Sequence, residues 1–186
     1  EDFENKIHNV QIINHLIKKD HMKIKFLLLV FLFSNSAFSN YKLETVLDDL
    51  DDAWSFVFLE EDKILYTEMP GKLKVASLSD KSITEIINVP TVQYSGQGGL
   101  SDIALDPDFE SNNTIYLSYS ARNQNKKTTL FLLSAKLEGN LLENRKVIFQ
   151  ADAPRRSPMH LGAKIAFMND GTILLTNGDG FEHRQK

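Results

Sequence analysis

Short apolar runs follow one another along the chain from residue 54 onwards, and polar or Gly/Pro-rich turns separate them. Runs of four to eight apolar residues between turn signals predict β-strands, and no stretch of the chain sustains helical spacing. The pattern therefore predicts an all-β protein. The predicted strands cover residues 54–59, 64–68, 73–78 and 83–89, then 101–105, 115–120, 129–137 and 147–151, and finally 164–167 and 173–176.

These strands repeat in groups of four. Equivalent positions Phe56, Ile103 and Ile165 lie 47 and 62 residues apart, which fits four-stranded units with loop insertions. A radial array of such units is a β-propeller; a small β-sandwich is the alternative that the pattern leaves open. Because a closed propeller needs about four blades or more, we expect residues 40–186 to be a truncated N-terminal part, with two blades and half of a third.

Residues 22–39 have the pattern of a secretory signal peptide. Two lysines follow Met22, eight apolar residues occupy 26–33, and small residues suited to cleavage precede Asn40. The apolar run is too short to span about 30 Å of hydrocarbon, although an uncleaved anchor is the alternative. Residues 1–21 are predicted to be a non-native extension upstream of the true start. The sequence thus predicts a periplasmic or secreted protein without stable membrane insertion after cleavage.

Composition narrows the possible chemistry. The net charge is −4 and the pI is about 5.7, which argues against nucleic acid or anionic lipid as a partner. Cysteine is absent, so the chain has neither a disulfide framework nor a thiolate metal site. Any nucleophile or metal ligand must therefore offer oxygen or nitrogen.

The segment 94–100 is a glycine-rich loop ahead of a predicted strand. Its three glycines would let a ligand approach the backbone closely, and Gln97 offers both an amide donor and an acceptor. A tight turn is the alternative interpretation, and the loop lacks the lysine and threonine of a phosphate-binding loop.

His160 and Asp179 flank the first strand pair of the third unit. An imidazole titrates near neutrality and can take a proton from an alcohol as hydride leaves the same carbon. The Asp179 carboxylate, nineteen residues on, could reach the other imidazole nitrogen. A solvated surface histidine and a plain Asn-Gly-Asp-Gly turn, or more remotely a calcium loop, are the alternatives.

Several blocks, taken in order, resemble the soluble quinoprotein glucose/sorbosone dehydrogenase family over residues 54–186. That resemblance implies a six-bladed, periplasmic or secreted propeller that binds pyrroloquinoline quinone (PQQ) and calcium. It also implies oxidation of the anomeric carbon of aldose sugars to lactones, with electrons passing on to an acceptor of unknown identity. The blocks are Ala53-Trp54-Ser55-Phe56, residues 64–73, Gly96-Gln97-Gly98-Gly99-Leu100, Asp106-Pro107-Asp108-Phe109, His160-Leu161-Gly162 and Asp170-Gly171-Thr172.

The resemblance also assigns roles by position. His160 matches the catalytic base that takes the proton of the sugar C1 hydroxyl, Asp179 the carboxylate that orients it, and Gln97 a cofactor-binding side chain. Residues 162–164 read Gly-Ala-Lys where many members have Gly-Gly-Arg, and lysine lacks the bidentate fork of arginine. The family's calcium ligands and its other cofactor contacts are expected beyond Lys186.

Two other functions stay open at this point. A propeller lactonase would hold a metal in its channel and need no quinone, and a non-catalytic sugar- or protein-binding propeller would not need His160 and Asp179 together. Because an incomplete ring exposes a blade face and sheet edges, we expect the 186-residue chain made alone to be poorly folded and inactive.

Overall fold

The computed structural model describes residues 42–152 and 158–181, so the predicted signal peptide and upstream extension lie outside the described residues. Within these ranges the chain is built of β-strands and one short helix, α1. No helix in this part of the chain has the length and apolarity to cross a membrane. The elements are β1 (Ala53–Glu60), β2 (Lys63–Glu68), β3 (Lys72–Ser77), β4 (Ile83–Ile86), β5 (Leu100–Leu105), α1 (Phe109–Asn112), β6 (Thr114–Arg122), β7 (Thr128–Glu138), β8 (Leu141–Gln150), β9 (Gly162–Phe167) and β10 (Ile173–Asn177).

The strands form three antiparallel sheets, each made of consecutive strands. β1–β4 form blade 1, β5–β8 form blade 2, and β9 and β10 pair as the described part of blade 3. The first strand of blade 2, β5, packs against the first strands of the other two blades, β1 and β9. The predicted all-β propeller class is confirmed.

Most strand ends lie within about two residues of the prediction, and two differ by more. β8 begins at Leu141, not at Val147, because the polar residues between them pair with β7 without an apolar pattern to mark them. β4 ends at Ile86, and the predicted extension to Val89 is instead part of the connection to blade 2.

The cores lie between blades. Leu65 and Leu73 of blade 1 pack with Ile103, Ile115 and Leu117 of blade 2, and all five are buried. Each such side chain contributes about 1.5–3 kcal/mol when fully buried. A smaller cluster of Leu130, Ala151 and Ala163 joins blade 2 to blade 3. These clusters hold successive blades against each other.

Blade 1 also contains a buried ion pair. The Glu68 side chain is completely buried, and Lys74 Nζ on the neighbouring strand lies 2.7 Å from its Oε2. Burial lowers the pKa of Lys74, but the hydrogen bond to Glu68 and the charge of that carboxylate outweigh burial and leave this pKa raised. The Asp51 amide donates to Glu68 Oε1 at 3.1 Å, so the carboxylate also fixes the chain that leads into β1.

Candidate active site

A cleft of about 400 Å³ opens where the three blades begin. Its walls come from the start of β1, the glycine-rich loop (residues 94–100) and the histidine loop (residues 158–163), which leads into β9 and includes its first two residues. Pockets of this size hold small-molecule ligands when a few polar groups converge in them. Residues lining it include Trp54, Met69, Gln97, Ser101, His160 and Gly162.

The glycine-rich loop and the histidine loop bind each other. The backbone amide of His160 donates to the side-chain Oε1 of Gln97 at 2.8 Å. In return, the backbone amide of Gln97 donates to the Pro158 carbonyl at 3.0 Å. A Cβ on Gly96 would lie 3.2 Å from both Pro158 Cγ and Met159 Sδ, and its φ is +59°. Gly96 therefore permits this close approach, and the two loops form a single wall of the cleft.

His160 is held at its side chain as well as at its backbone. Its Nδ1 lies 3.1 Å from Asp179 Oδ1, and the same oxygen accepts the Phe181 amide at 3.0 Å. The Phe181 ring packs on the imidazole, with centroids 3.6 Å apart and planes inclined at 35°. A carboxylate at Nδ1 favours the tautomer that carries its proton there, which makes Nε2 the acceptor. The His160 side chain is 42% exposed and can reach solvent or a ligand.

The Asn-Gly-Asp-Gly turn after β10 contacts the backbone of the histidine loop. The Gly178 amide donates to the Leu161 carbonyl at 3.0 Å, and a Cβ on Gly178 would lie only 2.1 Å from the His160 carbonyl oxygen. Only glycine fits there without moving the loop. The turn that carries Asp179 is thus packed directly on the loop that carries His160.

The three predicted site residues lie together. Gln97 and His160 share the cleft, and Asp179 contacts the His160 ring. The catalytic and cofactor-binding roles assigned to them stay predictions. One contact was not expected: the Gln97 side-chain oxygen, assigned to the cofactor, accepts the His160 amide.

Other cleft residues were not predicted as site residues. Trp54 and Met69 fall in blocks that carry the family resemblance, and this was the signal that could have found them. Phe181 directly follows the predicted turn and has no local pattern that marks it. Among the described residues no group of three or more His, Asp or Glu could hold a metal ion. The calcium site, whose ligands are expected beyond Lys186, stays a prediction.

Residues 50–186 match the family model of the glucose/sorbosone dehydrogenases. The chain is 33% identical over 147 residues to the uncharacterized protein slr1608 of Synechocystis sp., covering 75% of this chain and 35% of that protein. It is 27% identical over 140 residues to the aldose sugar dehydrogenase YliI of Escherichia coli, covering 74% and 38%. The chain therefore spans a little over a third of the length of these curated relatives.

Solved structures agree with the sequence matches. A glucose dehydrogenase superposes with a TM-score of 0.72 at 31% identity, over 76% of this chain and 45% of that one. The PQQ-bound form of an aldose sugar dehydrogenase from Streptomyces coelicolor gives 0.63 at 25% identity, over 75% and 42%. The family model, the sequence relatives and the solved structures agree, and the chain belongs to the glucose/sorbosone dehydrogenase family.

Proposed function

We propose that the full-length protein carrying this chain is a PQQ-dependent dehydrogenase that oxidises the C1 hydroxyl of an aldose to a lactone. The observation that carries the proposal is a histidine at a cleft wall whose Nδ1 is 3.1 Å from a carboxylate and whose backbone is held by Gln97. Alcohol oxidation needs a base at the hydroxyl proton, and this arrangement supplies one.

His160 takes the hydroxyl proton at Nε2 in this proposal. Asp179 keeps Nδ1 protonated and stabilises the imidazolium that forms, because its carboxylate accepts the hydrogen bond from Nδ1. Gln97 sets the position of the ring by holding the His160 amide. These three residues therefore share one task, which is to receive a proton at a fixed place in the cleft.

The cleft offers contacts for a cofactor. Gly96 lines it without a side chain, and Gln97 lies beside it with a side-chain amide that can donate to a carbonyl. When bound, PQQ supplies an electron-accepting ortho-quinone that receives the hydride from C1. In this chain Gln97 and the neighbouring backbone would hold the quinone, and the calcium ligands and the remaining cofactor contacts are expected beyond Lys186.

The rest of the assignment follows from the sequence. The signal-peptide pattern at 22–39 supports export to the periplasm or outside the cell. A ring completed by further blades would close the cleft around the sugar, and an electron acceptor would then reoxidise the cofactor.

The test is dye-linked aldose oxidation by full-length protein reconstituted with PQQ and calcium. His160→Gln should lower kcat by about 10²- to 10⁴-fold because it removes the base. Asp179→Asn should also lower kcat, because it removes the carboxylate that holds His160 Nδ1. Asp170→Asn is the matched control: Asp170 caps the β9–β10 turn through the Thr172 amide and lies outside the cleft.

The outcomes separate the rival functions. A His160→Gln enzyme with unchanged turnover would show that the base is wrongly assigned. Quinone-independent hydrolysis of a lactone would favour a metal-dependent lactonase. Sugar binding without oxidation would favour a binding propeller.

A further inference from the structure

Asp102 lies at the junction of the three blades. Its side chain is completely buried, and Oδ1 accepts hydrogen bonds from Ser55 Oγ at 2.5 Å and from Lys164 Nζ at 3.1 Å. The other oxygen, Oδ2, accepts the Ile165 amide at 2.7 Å. One carboxylate thereby joins β1, β5 and β9, the first strands of three successive blades.

A β-bulge aims this side chain. The pairing of β5 with β6 is in register at Leu100 and again at Ile103, and the shift between these positions leaves Asp102 on the bulge. Bulges re-aim side chains and recur next to active sites. The Asp102 amide donates to Ser118 Oγ at 2.9 Å, and that hydroxyl donates to the Ala163 carbonyl at 2.6 Å. Asp102 therefore reaches β9 twice, through its carboxylate and through Ser118.

The chain just ahead of these anchors is strained. His160, Gly162 and Ala163 have φ values of +47°, +79° and +82°, and two of these residues are not glycine. Left-handed conformations at such residues persist only where surrounding contacts impose them. Gln97 holds the start of the segment at the His160 amide, while Asp102 and Ser118 hold its end.

We propose that Asp102 is a positioning residue for His160. By fixing the start of β9, it fixes where the strained histidine loop joins the strand. It thereby also fixes the placement of the imidazole against Asp179. The inference rests on the proposed function, in which His160 is the base.

Asp102→Asn tests the idea with almost no change in shape. All three groups around the carboxylate can act as donors, so an amide NH₂ would face the Ile165 amide in one orientation and the Lys164 ammonium in the other. In the reconstituted full-length enzyme we expect kcat to fall by about tenfold to a hundredfold, with little change in KM for the aldose, because misplacing a catalytic group by about 1 Å has effects of that size.

A second readout needs neither cofactor nor sugar. In quinone-free protein labelled with ¹⁵N-histidine, His160→Gln assigns the His160 imidazole signals, and Asp179→Asn gives their positions when the carboxylate contact is lost. We expect Asp102→Asn to move the His160 signals toward the Asp179→Asn positions. Signals that coincide with those of the parent protein would overturn the proposal.

Glu68→Gln is the matched control. It makes the same chemical change in another fully buried carboxylate that is paired with a lysine, within blade 1. It should leave the His160 signals and kcat unchanged. A shift of the His160 signals as large as that of Asp102→Asn would show that loss of any buried carboxylate disturbs His160, and would overturn the proposal.

Ser118→Ala covers the case in which Asp102→Asn does not fold. It removes only the hydroxyl between Asp102 and the Ala163 carbonyl. We expect a smaller shift of the His160 signals in the same direction, and the absence of any shift would count against Asp102. A parent enzyme that oxidises no aldose would refute the proposed function alone, because the imidazole signals still report on Asp102.

Discussion

Two buried carboxylates in this chain are each paired with a lysine. One pair lies within a blade, and the other joins two blades. Glu68 and Lys74 lie on neighbouring strands of blade 1, and the Lys74 side chain is only 16% exposed. Asp102 and Lys164 lie on different blades, and the Lys164 side chain is 64% exposed. In both pairs the carboxylate itself is completely buried.

The difference shows where each pair acts. Glu68 satisfies a partly buried ammonium in its own blade and the Asp51 amide in the chain that leads into that blade, so its removal should mainly cost stability. Asp102 binds the Ser55 hydroxyl and the Ile165 amide across blade boundaries, and its lysine can turn to water. Its removal should mainly disturb how the blades meet at the cleft.

The largest expected effect separates the two carboxylates by stability. Glu68→Ala should lower the free energy of unfolding of the full-length protein by about 3–5 kcal/mol, because it leaves a partly buried charge unpaired. Asp102→Ala should cost about 1–3 kcal/mol, mainly for unsatisfied buried donors. Urea unfolding measures both free energies. Activity per folded molecule should show the opposite order, with the larger loss in Asp102→Ala. The same order in both measurements would contradict the comparison.

Alkaline pH should weaken the Glu68–Lys74 pair. Because the folded-state pKa of Lys74 is raised, its stabilisation is complete below about pH 10.5 and is lost as pH rises through the folded value. The stability difference between the parent protein and Glu68→Gln should therefore shrink above that pH. Urea unfolding from pH 7 to 11.5 measures it, with Lys74→Met as the variant in which this titration is removed. A difference independent of pH would show that the pair does not titrate as assigned.

The smallest effect concerns the two lysines. Lys164→Met should cost only about 0.5–1 kcal/mol, because its exposed ammonium contributes little as an ion pair. Lys74→Met should cost more, since the buried Glu68 carboxylate then keeps the Asp51 amide as its described donor, whereas Asp102 without its lysine keeps both the Ser55 hydroxyl and the Ile165 amide. Lys164→Arg, which keeps the positive charge, should stay within about 0.5 kcal/mol of the parent protein. Equal losses of unfolding free energy in Lys74→Met and Lys164→Met, measured by thermal or urea unfolding, would contradict the distinction between the two pairs.

The blades could be predicted because their signal is local. Runs such as Ile64 to Glu68 bury apolar side chains between sheets, and turn residues mark their ends. The first half of β8 escaped prediction because Glu143 to Lys146 are exposed and polar and are strand residues only through their pairing with β7. Pairing with a neighbouring strand leaves no mark in the residues themselves.

The site was predictable in part for the same reason. Gln97 and His160 stand in recognisable blocks and Asp179 in an Asn-Gly-Asp-Gly turn, and the three side chains lie close together in the structure. Asp102 was predicted only as part of a strand at 101–105. Its partners Ser55 and Lys164 are 47 and 62 residues away, and the bulge that aims it comes from pairing with β6. No local periodicity encodes a contact of that kind.

The contact between Gly178 and the His160 carbonyl limits which sequences this architecture can accept. Even one added methyl group would strike backbone, which cannot swing aside as a side chain could. Gly171, in the β9–β10 turn, has nothing within 4 Å of the same imagined atom. Position 171 is therefore limited by its φ of +83° alone and can take Asn or Asp, whereas position 178 admits no side chain, and any lineage that lost Gly178 would have to rebuild the histidine loop together with it.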